Sequence, residues 1–275
     1  MSTMMERAGK RVVSFLIFVA ALLFLFPFYW MVTGAFKTRF DLMGLVPQWI
    51  PLHPNLDNLV RITAGYGARW FLNSVITSAC YTILSVTVCT MAGYSLAKKK
   101  YPGRQFFFMM FIVVMAIPKN TTLVPLFLLI KDLGMVDRYS GLILPFIAWP
   151  FGIFLIRQSI QTLPNELFEA AKMDGASERY LFLRIVIPLV LPGIICLSVF
   201  AFRDSWNDYF WQLIALKSTA MKTFPLGVAG MLDDMVVEYG MLLAGSTIAS
   251  LPIILLFLFF QRFFTAGIAM SAMKG

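Results

Sequence analysis

Six long apolar runs, falling roughly at 12–33, 71–97, 105–130, 141–157, 188–210 and 241–261, leave this 275-residue chain few ways to fold. Most are about the length a helix needs to cross hydrocarbon. Charged residues are 13% of the chain, against roughly 25% in soluble domains. Inside lipid every backbone N–H and C=O must find a partner within its own segment, which selects helices for runs of this kind. The expectation is an all-α polytopic membrane protein with about six transmembrane helices, built as a single transmembrane domain over 1–275. Arg7, Lys10 and Arg11 precede the first run, which is longer than a signal peptide's apolar region and has no small-residue cleavage site. It counts as a span, with Phe28, Tyr29 and Trp30 at its far interface.

An even number of spans puts both termini on one side. That side carries thirteen Lys and Arg: three at the N-terminus, four at 98–104, four at 157–184 and two in the tail. The opposite loops carry eight over longer sequence. Positive residues mark the cytoplasmic side, so the termini and the 157–184 loop are expected there. The net charge of +9 does not indicate nucleic acid, because the basic residues border apolar runs and form no tract among polar or aromatic readers.

Two places break the apolar pattern. The third run is interrupted by Pro118, Lys119, Asn120, Thr121 and Thr122, past the bilayer midplane at about 1.5 Å per residue. Irregular backbone at that depth is tolerated only against protein or a water-filled cavity, which makes Pro118, Asn120 and Thr121 candidates for a translocation pathway. The other reading is a Pro kink with Lys119 snorkelling to the outer interface. The fifth run ends in Arg203, Asp204, Ser205, Trp206, Asn207 and Asp208. Arg203 and Asn207 share one helical face, Asp204 and Asp208 an adjacent one. Ionisable groups in a span face a bundle interior or a wet cavity; an interfacial belt of Trp206, Tyr209 and Trp211 is the competing account. Small residues Ser74, Ser78, Ser85, Ala92 and Gly93 suit the second span to close packing.

Catalysis finds little support. There is no G-x-x-x-x-G-K-[ST] loop, one histidine (His53), and three cysteines (Cys80, Cys89, Cys196) that all lie within apolar runs. No cofactor and no metal are expected, and ATP hydrolysis is not. The pairs Asp204/Asp208 and Asp233/Asp234 fit solvated or pore-lining positions better than acid–base work.

The loop at roughly 164–185 is the one charged, helix-forming segment between apolar runs. Pro164 and Glu166 suit a first helical turn, and Gly175 suits the left-handed position that ends a helix. Ser177 can cap a second helix running to Pro188. Leu167, Ala170 and Ala171 are expected on one face, with Glu169 beside them. Glu169, Ala170, Ala171, Gly175, Ile185 and Pro188 stand at the spacing of the Glu-Ala-Ala loop of ABC-importer membrane subunits, with Ile187 where that family usually has Leu. The loop resembles theirs. That resemblance implies a coupling helix that docks in a separate cytoplasmic ATPase, with Asp174 beside Gly175 in the same element.

The whole chain resembles the MalG-like six-span permeases of maltose-type carbohydrate importers. The stretches FPFYWMVTGAFKT from Phe26, IPKNTTLVPLFLLIKDLGMVD from Ile117, LILPFIAWPFGIFLIRQSI from Leu142, SWNDYFWQL from Ser205 and FFQRFFTAGIAMSAMKG from Phe259 carry it. Family members tend to have Pro at the position of Gln212. The resemblance implies a second homologous permease, two copies of a cytoplasmic ATPase, an extracytoplasmic sugar-binding protein and membrane lipid as partners. It also implies a bacterial or archaeal plasma-membrane location, and an ATPase-contacting tail at Ala272, Met273, Lys274 and Gly275. Transport of glycerol phosphate or polyols fits the same architecture; an ion-coupled secondary transporter is the rival of a different class.

Overall fold

A computed structural model describes residues 2–232 and 237–272, with side chains placed for 9–232 and 237–262. Among the described residues the chain is helical with no strand. It divides into two compact units: 1–68 with 227–251, and 69–226 with 252–275.

In the first unit, α1 (Ser2–Ala35) leads through α2 (Arg39–Met43) to α3 (Asp57–Ile62). Thr38 and Asp41 form a reciprocal capping box at the start of α2, which satisfies two otherwise orphaned N–H groups. Asn58 donates to the carbonyls of Ala35 at 3.1 Å and Lys37 at 2.9 Å, closing the end of α1, whose last carbonyls have no partner of their own. Lys37 is fully buried. Its ammonium donates to the Gln48 carbonyl and lies 4.2 Å from the Trp30 ring centre. Tyr29 donates to the Trp49 carbonyl at 2.7 Å, and Phe26, Trp30 and Trp49 form an aromatic cluster. The aromatic end of the first span thus touches the 45–50 loop through Phe26, Tyr29 and Trp30, while Phe28, Tyr29 and Trp49 stay exposed. Arg61 pairs with Glu238 at 2.7 Å.

In the second unit, α4 (Ala68–Lys98) is followed by α5 (Arg104–Met115), α6 (Leu123–Asp132), α7 (Tyr139–Ile143), α8 (Pro150–Gln161), α9 (Asn165–Met173), α10 (Glu178–Tyr180), α11 (Ile187–Leu189), α12 (Leu191–Trp206) and α13 (Tyr209–Ala215). Helix α14 (Phe224–Ala229) and the last described helix, α15 (Tyr239–Ala272), each have residues in both units. Three segments are long and apolar enough to span a membrane unaided: Gly9–Ala35, Asp57–Lys98 and Tyr239–Arg262. Three bent pairs complete up to six spans, with bends of 96° between α5 and Lys119–Asp132, 45° between Tyr139–Phe146 and α8, and 77° between Glu178–Leu189 and α12. The breaks follow from proline. Pro118 lacks an N–H and pushes Ile117 away from helical geometry, while Pro150 opens α8 at the position where a missing N–H costs nothing.

Close packing holds α4 to α8. Ser74, Ser78, Ser85 and Gly93 are buried and Ala92 is half-buried, as the small-residue pattern predicts. A Cβ at Gly93 would come within 2.9 Å of Ile156 and 3.0 Å of the Arg157 backbone nitrogen, so the two backbones meet there. One apolar cluster then joins Cys89 and Tyr94 of α4, Ile153, Ile156 and Ile160 of α8 and Leu197 of α12 to Phe168, Leu181 and Val186 of the 164–190 loop.

Candidate functional site

The 164–190 loop has the anatomy its sequence predicts. Pro164 precedes α9, and Gly175 adopts φ +80°, a conformation that costs Gly little and other residues much. The Ser177 hydroxyl accepts from the Tyr180 N–H at 3.2 Å. The helix that follows runs on through a π-helical turn at Leu181–Val186 and bends after Leu189. One expectation needs correcting. Leu167 and Ala170 are exposed, but Ala171 turns inward against the apolar cluster beside Phe168, which is buried. Phe168 and Ala171 stand three residues apart on the inner face. The outer stripe is instead Leu167, Ala170 and Met173, the last 85% exposed. Glu169 and Asp174 are exposed at its sides.

The loop is also tied by charge. Glu178 contacts the Lys99 ammonium, accepts from the Tyr94 hydroxyl at 3.0 Å and lies 3.6 Å from Lys172. The hydrogen bond from Lys99, then that from Tyr94, holds the Glu178 carboxyl below its ordinary range. Lys98 donates to the Leu163 carbonyl at 2.7 Å and the Asn165 side chain at 2.8 Å. Within the second unit, α4 and the loop are thus joined by charge as well as by packing.

The two interruptions of the apolar pattern meet. Lys119 lies 2.8 Å from Asp208 and 3.6 Å from Asp204, with its ammonium 4.5 Å from the Phe146 ring centre. These groups border a cavity of about 600 Å³ whose lining includes Tyr81, Pro118, Lys119, Thr122, Phe146, Trp149 and Asp204. A narrow recess beside it adds Thr77, Ser205, Asp208, Trp211 and Gln212. The buried Thr77 hydroxyl has no hydrogen-bond partner among the described residues. Of the pathway candidates, Pro118, Asp204 and Asp208 reach this site. Asn120, Thr121, Arg203 and Asn207 are exposed outside its lining. Lys119, which sequence reasoning allowed to snorkel away, is its central charge.

The aromatic-belt account is corrected for two of its three residues. Trp206 and Trp211 are each 1% exposed. Trp206 packs against Phe71 and Phe202, while Trp211 donates to the Gly141 carbonyl at 3.0 Å. Only Tyr209 is exposed. Gln212 is buried and donates to the Ser205 carbonyl at 2.9 Å, which fixes the start of α13 across the break after Trp206. Met273, Lys274 and Gly275, and the side chain of Ala272, lie outside the described residues, as do Asp233 and Asp234.

Residues 89–270 match the model of the binding-protein-dependent transport system inner membrane component family. The chain belongs to that family. It is 36% identical to the arabinooligosaccharides transport system permease protein AraQ of Halalkalibacterium halodurans, over 98% of this chain and all of that one. It is 32% identical to the lactose transport system permease protein LacG of Rhizobium radiobacter, over 97% of each. In fold it resembles a chain of a bacterial ABC transporter involved in import of the acidic polysaccharide alginate, with a TM-score of 0.85 at 21% identity over 94% of this chain and 97% of that one. The family is a transporter permease of the inner membrane, so this subunit's work is transport.

Proposed function

We propose that this permease imports a neutral sugar or oligosaccharide by alternating access, driven by a separate ATPase acting on the 164–185 loop. The observation that carries the mechanism is α9: an outer stripe of Leu167, Ala170 and Met173 on a helix anchored from behind by Phe168. Force applied to that stripe reaches α4, α8 and α12 through the shared apolar cluster. Packed elements of this kind move between discrete arrangements, each favoured by a different ligand. Glu169, Ala170, Asp174 and Gly175 edge and end the docking helix; Ala171 supports it from inside.

The sugar reading draws on the relatives' names and on the cavity. Phe146 and Trp149 supply apolar faces, and Asp204 and Asp208 supply acceptors for hydroxyl groups. Two carboxylates against one ammonium disfavour glycerol phosphate, whose charge would be repelled. The importer contains a second homologous permease, two ATPase copies and an external sugar-binding protein, with both termini and the coupling loop of this chain in the cytoplasm. The tail, Ala272 to Gly275, contacts the ATPase pair. Reconstitution into liposomes tests this. Uptake of arabino-oligosaccharide or lactose requires ATP, ATPase and binding protein together; uptake by the permease alone without ATP would defeat the proposal in favour of an ion-coupled carrier.

A further inference from the structure

Beside the coupling loop the surface is concave and basic. A cavity of about 540 Å³ is lined by Lys98, Lys99, Lys100, Arg104 and Lys172, with Glu169 the one acid in the lining. Glu178 nearby is occupied by Lys99 and Lys172. Five cations against two carboxylates leave an excess of three positive charges in one hollow. Lys98 is engaged by Leu163 and Asn165, and Arg104 donates to the Lys99 carbonyl at 2.9 Å, which draws the 99–104 turn tight. Lys100 is exposed at the rim.

A second hollow of about 340 Å³ shares Lys100 and Arg104 with the first and continues past Gln105 to Phe106. From there α5 carries Phe106, Met110 and Val113 outward, all well exposed and spaced as one helical stripe. Cations at the head of an exposed apolar stripe are the two halves of an amphiphile's site. Crowded cations repel each other unless an anion sits among them, and basic pockets at the ends of membrane helices hold anionic headgroups.

We propose that this hollow binds a phosphate-bearing anionic lipid, its phosphate between Lys100 and Arg104 and its chains along Phe106, Met110 and Val113. The lipid neutralises the turn whose Lys99 holds Glu178, so membrane composition acts on the position of the coupling loop. The inference rests on the membrane-spanning reading and not on the identity of the sugar.

The test needs no transport. The purified full-length chain is incubated with equal phosphatidylglycerol and phosphatidylcholine, and retained lipid is read by native mass spectrometry. The wild type retains phosphatidylglycerol preferentially, and K100Q/R104Q lowers that retention roughly tenfold. K100Q alone, at an exposed side chain, gives an intermediate loss; K131Q/R138Q gives none. Equal retention of the two lipids, or undiminished phosphatidylglycerol in the double variant, overturns the proposal. So does protection of Lys100 from acetylation by inorganic phosphate but not by phosphatidylglycerol, which would assign the hollow to a free anion. Loss of ATPase capture with lipid retention intact would assign it to a protein partner.

Discussion

Lys119 shows how a residue acquires its meaning from partners distant in sequence. It faces Asp204 and Asp208 across 85 and 89 positions of chain. No local pattern records that pairing, so a lone Lys beside a Pro reads equally well as a snorkelling group. The break around it was legible, because proline and three polar residues cannot continue an apolar helix unpunctuated. Lys119→Gln leaves two carboxylates without their counter-charge; uptake in the reconstituted system is expected to fall at least tenfold, with Lys119→Arg restoring part of it, and equal uptake in all three proteins would show that the ion pair is dispensable. Gly93 makes the opposite case, since small residues at helical spacing announced a close approach. Gly93→Val places branched carbons against Ile156 and the Arg157 backbone, with an expected cost of about 1–3 kcal/mol, read as a lower melting temperature in detergent. No motif in the sequence singles out Asp137. It holds φ +58° and accepts from the N–H groups of Lys217 at 2.9 Å and Ser218 at 3.1 Å; the signal that could have found it is an acidic residue in a short loop after Gly134.

At the scale of the element, the 164–185 loop was the most legible part of the chain because its boundaries are set by local chemistry. Pro164 and Gly175 act through their own backbone and Ser177 through a hydroxyl three residues from the N–H it caps, so sequence alone located the start, the turn and the restart. The facing of α9 was less accessible: Leu167 and Phe168 are adjacent apolar residues, and only the cluster of Leu181, Val186 and Ile160 behind the helix decides which is buried. Gly175→Asp forces a side chain into the left-handed region, and uptake is expected to drop while the permease pair still co-purifies. The ion contact of Glu178 gives a pH signature. Its folded carboxyl titrates below the ordinary glutamate range, so the contact contributes fully above that range and is lost as pH falls through the lowered value. Limited proteolysis of the 174–180 turn should therefore accelerate on acidification in the wild type and be pH-independent in Glu178→Gln.

For the whole molecule, the count of spans was legible from hydropathy, and three of the six were not continuous helices. A run of apolar residues fixes that a segment can live in lipid; it does not fix that the segment is straight, which depends on what its prolines meet. The burial of Trp206 and Trp211 was hidden for a related reason, since an aromatic next to charges suits a headgroup boundary and a packed interior alike. Orientation gives the broadest prediction. With the native cysteines replaced, a cysteine at Met173 should react with an impermeant maleimide only in inverted vesicles, and one at Lys131 only in right-side-out vesicles. Labelling of Met173 from the external face would overturn the coupling proposal.

Asp208 divides its carboxylate. One oxygen accepts from the Trp211 N–H at 3.3 Å and caps α13, while the other holds Lys119 on the broken third segment. A single planar group therefore serves two elements through separate atoms, so neither contact depends on the other. Loss of the Lys119 contact therefore leaves the helix that Asp208 caps with its first-turn bond intact.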